Sequence, residues 1–193
     1  MIIEQPIYDG ALIHERFAYK FFQKDTKPVG NIVAFTAPMF VSDNLIDLED
    51  SISKDYIFSD NAVNFCWEIP NLGPFGAVAF QRWFNANIAT ILGNYIDKPI
   101  QLKGDDLMVV DQFVGSDSKV QQIGKVSVSI TYSKDNVAIG HTGININAGE
   151  KAPGFAYSSN LSKEGAEGFM SDVIEMFNAE VLDIAIATSK IIV

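Results

Sequence analysis

Three short stretches in the second half of the chain carry residue types able to handle acyl or phosphoryl groups. Lys103-Gly104-Asp105-Asp106-Leu107 sets an ammonium and two carboxylates at a strand–turn–strand junction, where side chains stand at one end of a sheet. Gly124-Lys125-Val126 opens a strand on a cation and follows it with the small residues Ser127 and Ser129. His141-Thr142-Gly143-Ile144-Asn145-Ile146-Asn147 closes the returning strand. The two-residue period of a strand puts His141, Gly143, Asn145 and Asn147 on one face. A glycine between polar side chains lets a ligand lie close to the backbone. An ammonium such as Lys125 stabilises charge that develops on a carbonyl or phosphoryl oxygen during acyl transfer.

Each candidate also has a plainer reading. A lone strand lysine usually faces solvent. A histidine beside glycine in a packed strand is more often a satisfied structural residue than a base. Asn145 fits a ligand contact or a group that satisfies nearby backbone equally well. Cys66, the only cysteine, fits a small buried hydrophobe and can form no internal disulfide.

The elements that must position these residues follow from hydrophobic spacing. Lys125 to Tyr132 alternates over eight residues, Ser133-Lys134-Asp135-Asn136 makes a turn, and Val137 to Asn147 returns. Gly124 to Asn147 is therefore expected to be one β-hairpin that presents Lys125. Upstream, Asp9 is a candidate N-cap for a short helix over residues 11–22, with Leu12, Phe17 and Phe21 sharing an apolar face. Asn31 to Phe35 and Asn61 to Ile69 are expected strands, the second broken by Pro70-Asn71-Leu72-Gly73-Pro74. Val78, Phe84, Ile88 and Leu92, widened by Ile91 and Tyr95, predict a helix from Phe75 to Ile96. Ile100 to Leu102 and Leu107 to Val110 are short apolar strands. Ser162 is the candidate cap of a last helix from Lys163 to about Thr188, striped by Phe169, Val173, Ile174, Phe177, Val181 and Ile184. The phenylalanines are expected in the core. Helices and strands in this order predict an α+β fold with a mainly antiparallel, mixed sheet flanked by helices.

Bulk properties exclude several function classes. The 193 residues suffice for one domain, expected over 1–193. A net charge of −10, with 14 basic against 24 acidic residues, argues against nucleic acid and anionic membranes as partners. No apolar run approaches the roughly 20 residues that span a bilayer. The N-terminus lacks the features of a signal peptide, so a cytoplasmic protein is expected. The acidic stretch Ser42 to Asp55, with Asp43, Asp47, Glu49, Asp50 and Asp55, shows no fixed ligand spacing. A solvated face is expected there, and no metal site.

The three stretches together resemble the biotin and lipoate protein ligases, whose catalytic domain shares its fold with class II aminoacyl-tRNA synthetases. The matching pieces are Asp105-Asp106, Gly124-Lys125-Val126-Ser127 and Gly143-Ile144-Asn145-Ile146-Asn147, in the family's order and approximate spacing. His141-Thr142-Gly143 is similar to the His-Gly pair of related octanoyltransferases. Tyr8-Asp9-Gly10 with its aromatic helix resembles a small uncharacterised, mainly archaeal family grouped with this fold. The resemblance implies Lys125 as the catalytic residue, meeting an acyl carbonyl or acyl-adenylate phosphate. It implies Lys103, Asp106, His141, Gly143 and Asn145 around the bound ligand, with ATP and magnesium as cofactors. A small acyl or carboxylate ligand, an acceptor protein and a homodimer are the implied partners. The chain departs from the pattern in two places. The arginine- and glycine-rich nucleotide loop is missing, its place falling to Thr36-Ala37-Pro38-Met39, and no cysteine nucleophile follows the Asn145 strand. Three functions stay open: an acyl- or cofactor-handling enzyme, a non-catalytic small-molecule binder that lost the activating loop, and an assembly subunit.

Overall fold

The computed structural model describes residues 1–22, 29–44, 47–53, 55–112 and 120–191. Among them the elements run α1 (Ala11–His14), α2 (Phe17–Phe22), β1 (Asn31–Val41), α3 (Leu48–Ser53), β2 (Ile57–Pro70), α4 (Pro74–Ile96), β3 (Ile100–Lys103), β4 (Asp106–Gln112), β5 (Val120–Lys125), β6 (Ser127–Lys134), β7 (Val137–Asn147) and α5 (Lys163–Ser189). Four strands pair in the order β1-β2-β7-β6 and three in the order β3-β4-β5, every pair antiparallel. The α+β expectation holds, with parallel pairing confined to isolated bridges.

The larger sheet separates two cores. On one face Phe65 and Trp67 of β2 meet Phe80 and Phe84 of α4 and Phe169 and Phe177 of α5. Most of these ring pairs pack edge to face, as at Phe65–Phe169 with centroids 5.6 Å apart, while Phe80 and Phe84 stack, both arrangements that the ring quadrupole favours. On the other face Val33, Phe35 and Met39 of β1 lie under Tyr8, Ile13 and Ala18 of the N-terminal segment. That segment is tied to β1 through bridges at Ile2–Ala34 and Tyr8–Met39. β1 is twice as long as expected, because Pro38 sits exposed at a bulge between Ala37 and Met39. Its missing N–H costs nothing there, and its carbonyl accepts from Tyr8 N–H at 2.9 Å. The stretch Thr36–Met39 is thus sheet and not a nucleotide loop.

Several details of the helices differ from expectation. The first helix is two, broken at Arg16, whose φ of 59° cannot continue a right-handed turn. Gly10 holds the cap position, while the Asp9 carboxylate accepts from Ala11 N–H at 3.0 Å. α4 begins on Pro74 and turns inward Ala77, Phe80, Phe84, Ile88 and Leu92, leaving Val78 exposed. α5 is capped by Ser162 Oγ, which accepts from Gly165 N–H at 3.0 Å, but Ile184 of its expected stripe is exposed. The phenylalanines are not all core: Phe75 is 89% exposed and Phe155 61%.

The expected hairpin is cut in two at the residue after its lysine. β6 and β7 do pair, through a turn in which Asp135 and Asn136 both take positive φ, as a two-residue hairpin turn requires. Lys125, however, ends β5 in the smaller sheet, opposite Met108 of β4. Val126 joins the sheets. Its N–H donates to Leu107 O at 2.9 Å and its carbonyl accepts from Asn145 N–H at 2.8 Å, with its side chain fully buried. Alternation from 125 onward looks continuous in sequence because the residue that changes sheets is itself apolar and buried.

Candidate functional site

That change of sheets brings Lys125 beside Asn145, and a cleft opens there. It measures about 640 Å³, inside the range of roughly 300–1,000 Å³ typical of small-molecule sites. Ile13, Phe58, Val128, Ile130 and Phe155 give it apolar walls. His141 and Asn145 of β7, both almost fully buried, form its floor, and Lys125 and Asp105 come from the smaller sheet. Asp47, Glu49 and Asp55, all exposed, stand at its rim.

Lys125 Nζ lies 2.7 Å from Asp106 Oδ1, with 27% and 34% of the two side chains exposed. The β5 backbone is held from the far side as well: Lys125 N–H donates to Phe155 O at 2.8 Å, and Tyr157 N–H to Lys125 O at 2.7 Å. These bonds fix the lysine's direction, although two of its three N–H groups are not needed by Asp106. Asp105 is braced differently. Its carboxylate accepts from Gln81 Nε2 at 3.3 Å, its backbone carbonyl accepts from Asn85 Nδ2, and Arg82 stands 3.6 Å away. Gln81 and Asn85 also donate to Ser129 Oγ, so α4 and β6 share one polar network behind the cleft.

His141 is held in one tautomer. Asn64 Nδ2 donates to the carbonyls of Ala62 and Ala37, so Asn64 Oδ1 must face His141 and accept from its Nε2–H at 2.9 Å. The other ring nitrogen, Nδ1, is then a lone-pair acceptor. Burial pushes the imidazole down from 6.5 to about 3, and Tyr8 stacks on it at 3.6 Å between centroids. A neutral imidazole results. Asn145 is 3% exposed, and its Oδ1 has no hydrogen-bond partner among the described residues.

The residues singled out from sequence divide accordingly. Lys125, His141 and Asn145 meet in the cleft, and Asp106 reaches it only through Lys125. Lys103 is exposed at the end of β3, outside the lining. Gly143 does not leave room for a ligand, because Met39 occupies the space: an added Cβ would lie 2.6 Å from its sulfur. Asn147 is exposed and accepts from Gly149 N–H. Cys66 is buried, and burial pushes its thiol well up, in keeping with a packing residue. Tyr8 and Asn64 are additions that no local pattern announces, since only sheet pairing brings them to His141. Of the acidic segment, residues 45, 46 and 54 lie outside the described residues; Asp47, Glu49 and Asp55 are exposed, as a solvated face would be, and also line the cleft.

This fold is similar to that of the biotin and lipoate protein ligase catalytic domains. It matches P. falciparum LipL1 in complex with lipoate at a TM-score of 0.57 and 14% identity, covering 93% of this chain and 60% of that one. The match to Ta0514 of T. acidophilum with bound lipoic acid has a TM-score of 0.54 at 8% identity, covering 95% and 85%. A protein of unknown function from Pyrococcus horikoshi matches at 0.79 and 22% identity, covering 100% of this chain and 97% of that one. The chain belongs to the family described as Domain of unknown function (DUF366), whose model matches residues 1–192. No curated protein sequence matches it. At these identities the structural likenesses establish the fold alone. The chain spans less than two thirds of LipL1.

The described residues of the cleft do not fit ATP and magnesium. Phosphates call for clustered cations or free backbone N–H groups. Here the described lining offers one cation, already on Asp106, against Asp47, Glu49, Asp55 and Asp105. No three His, Cys, Asp or Glu side chains among the described residues are grouped to hold a metal ion. No described helix is long and apolar enough to cross a membrane.

Proposed function

We propose that this chain is an acyl-handling protein whose cleft binds a small carboxylate or activated acyl ligand. Lys125 meets the carboxylate or carbonyl oxygen, and the ligand's apolar part lies along Ile13, Val128 and Ile130. One observation carries the reading: a half-buried, rigidly directed lysine stands at the end of an apolar-walled cleft of small-molecule size. In a site shielded from water an ammonium stabilises developing negative charge far better than at the surface. Structural neighbours with bound lipoate and lipoic acid support the ligand class by analogy of fold. The acidic lining favours a ligand that arrives already activated, or one that is bound without being activated, over ATP-dependent adenylation. An acceptor protein would supply the nucleophile in the first case and none is needed in the second.

Thermal-shift screening separates these readings. Lipoate, octanoate and biotin are tested with and without ATP and magnesium. At least one carboxylate should raise the melting temperature, and ATP should add nothing. Stabilisation by ATP alone would contradict the reading of the lining. Acyl transfer from a presented acyl-adenylate to an acceptor domain distinguishes the enzyme from the binder.

A further inference from the structure

Gln81 and Asn85 lie one turn apart on α4, and both are buried. Each amide nitrogen places one N–H on Asp105 and the other on Ser129 Oγ. Gln81 Nε2 donates to the Asp105 carboxylate at 3.3 Å and to Ser129 at 2.8 Å. Asn85 Nδ2 donates to the Asp105 carbonyl at 2.8 Å and to Ser129 at 3.0 Å. That carbonyl can only accept, which fixes the orientation of the Asn85 amide. Ser129 Oγ accepts twice, so its own proton goes to Thr142 Oγ1 at 3.3 Å, and Thr142 donates to Asn85 Oδ1 at 3.0 Å. The ring is closed. Ser129 lines the cleft, yet its lone pairs and its proton are all in use, so it is neither a nucleophile nor a ligand contact. Apolar residues of the same shape would stabilise a core about as well. A fully satisfied polar network supplies rigidity instead.

What the network holds rigid is the corner that carries Asp106. Gly104, at φ 69°, brings the turn between β3 and β4 so near α4 that an added Cβ would lie 2.7 Å from Arg82 Nη1. Asp105 is then pinned to α4 through its carbonyl and its carboxylate. On the other flank, Leu107 N–H donates to Ser127 Oγ at 2.9 Å, and its carbonyl accepts from Val126 N–H at 2.9 Å. Asp106 stands between these two anchored residues, and its carboxylate meets Lys125 Nζ at 2.7 Å.

We propose that Gln81 and Asn85 are positioning residues for Lys125: they hold the Asp105–Asp106 corner against α4, and the corner aims the ammonium. This rests on the reading of Lys125 as the group that meets the ligand, and adds what sets its direction. The lysine's aim then depends on a helix outside the three sequence stretches that carry the family resemblance.

Acetic anhydride labelling at low conversion, with the rate at each lysine read by mass spectrometry, tests this without any ligand. Lys163, exposed at the start of α5, is the internal reference. Gln81→Met keeps the length of the side chain and removes both N–H groups. It should raise the labelling of Lys125 relative to Lys163 by about two- to fivefold, the span that a partly exposed ion pair holds back. Asn85→Asp has the same shape without the N–H groups and should give the same rise, so either folded variant decides. Asp106→Ala should also raise the rate, and adding Gln81→Met to it should change nothing more, because both act through one contact. An unchanged Lys125 rate in Gln81→Met or Asn85→Asp overturns the proposal. So does a rise that multiplies in full with that of Asp106→Ala, the mark of a loosened core and not of a released corner. Calorimetric titration with octanoate tests the underlying reading separately: binding that ignores Lys125→Ala overturns the acyl reading and leaves the labelling result standing.

Discussion

Lys125 Nζ and Asp106 Oδ1 are 2.7 Å apart across β5 and β4, two strands of the smaller sheet. The pair aims the ammonium without burying it, since roughly a third of each side chain is exposed. Exposed ion pairs contribute about 0.2–1 kcal/mol. Asp106→Ala should therefore lower stability to urea by about 1 kcal/mol or less. A loss of several kcal/mol would show that the pair holds the two sheets together and does not serve mainly to aim the lysine.

The contrast is Glu68, whose side chain is 3% exposed beneath α2. Its carboxylate takes Arg16 Nε at 2.7 Å and Tyr19 N–H at 3.0 Å. Arg16→Met strands a buried charge and should cost about 3–5 kcal/mol. Adding Glu68→Gln to that variant should recover part of the loss. Urea unfolding of the two single variants and the double variant measures the coupling; simple additivity would show that the pair is not what seats the N-terminal helices.

His141 should leave its mark on the pH dependence of stability. The unfolded chain's histidine takes up its proton near 6.5 and the folded one near 3. Between those values the unfolded state holds more protons, so stability is full above about pH 6.5 and falls as pH drops toward 3. One proton gives a slope of about 1.4 kcal/mol per pH unit. Between about pH 6.5 and pH 5 the wild type should lose about 2 kcal/mol more than His141→Gln, which keeps an N–H toward Asn64. Parallel curves for the two proteins would mean that the imidazole is charged or solvated in the fold.

Two strand glycines should respond unequally to a methyl group. At Gly140 the added carbon meets the indole of Trp67, which Phe80 and Phe84 wedge in place. At Gly143 it meets the end of Met39, a side chain that can swing aside. Overpacking costs about 1–3 kcal/mol. Gly140→Ala should fall at or beyond the upper end and Gly143→Ala near the lower. Equal thermal losses would show that Met39 is as fixed as Trp67.

Much of the fold was legible because its signals are local. Pro74 starts α4, Ser162 caps α5, and the Asp135-Asn136 turn closes β6 on β7, each through chemistry within a few residues. The family resemblance of Asp105-Asp106, Gly124-Lys125 and Gly143-Ile144-Asn145 pointed to the right fold for the same reason. What escaped was set by distant contacts. Nothing near Lys125 says that Val126 leaves one sheet for another, since a buried apolar residue suits either strand. The strand expected over 31–35 runs on through Pro38, which β1 tolerates at a bulge on the edge of the sheet. Tyr8 and Asn64 reach His141 through pairing with β1 and β7. The acidic stretch is exposed as its charge suggested, but that Asp47, Glu49 and Asp55 line one cleft with Lys125 and Phe155 depends on residues far along the chain.

The central claim is that Lys125 recognises the carboxyl or acyl end of a ligand in this cleft. The most direct measurement is calorimetric titration of wild type and Lys125→Ala with the best-binding carboxylate from the thermal screen, at the same pH and salt. Lys125 is half-buried and its ion pair with Asp106 is partly exposed, so the variant should fold with a loss of about 1 kcal/mol or less. The account predicts saturable binding to the wild type and a loss of about tenfold or more in the variant. Equal affinity for both proteins would contradict it.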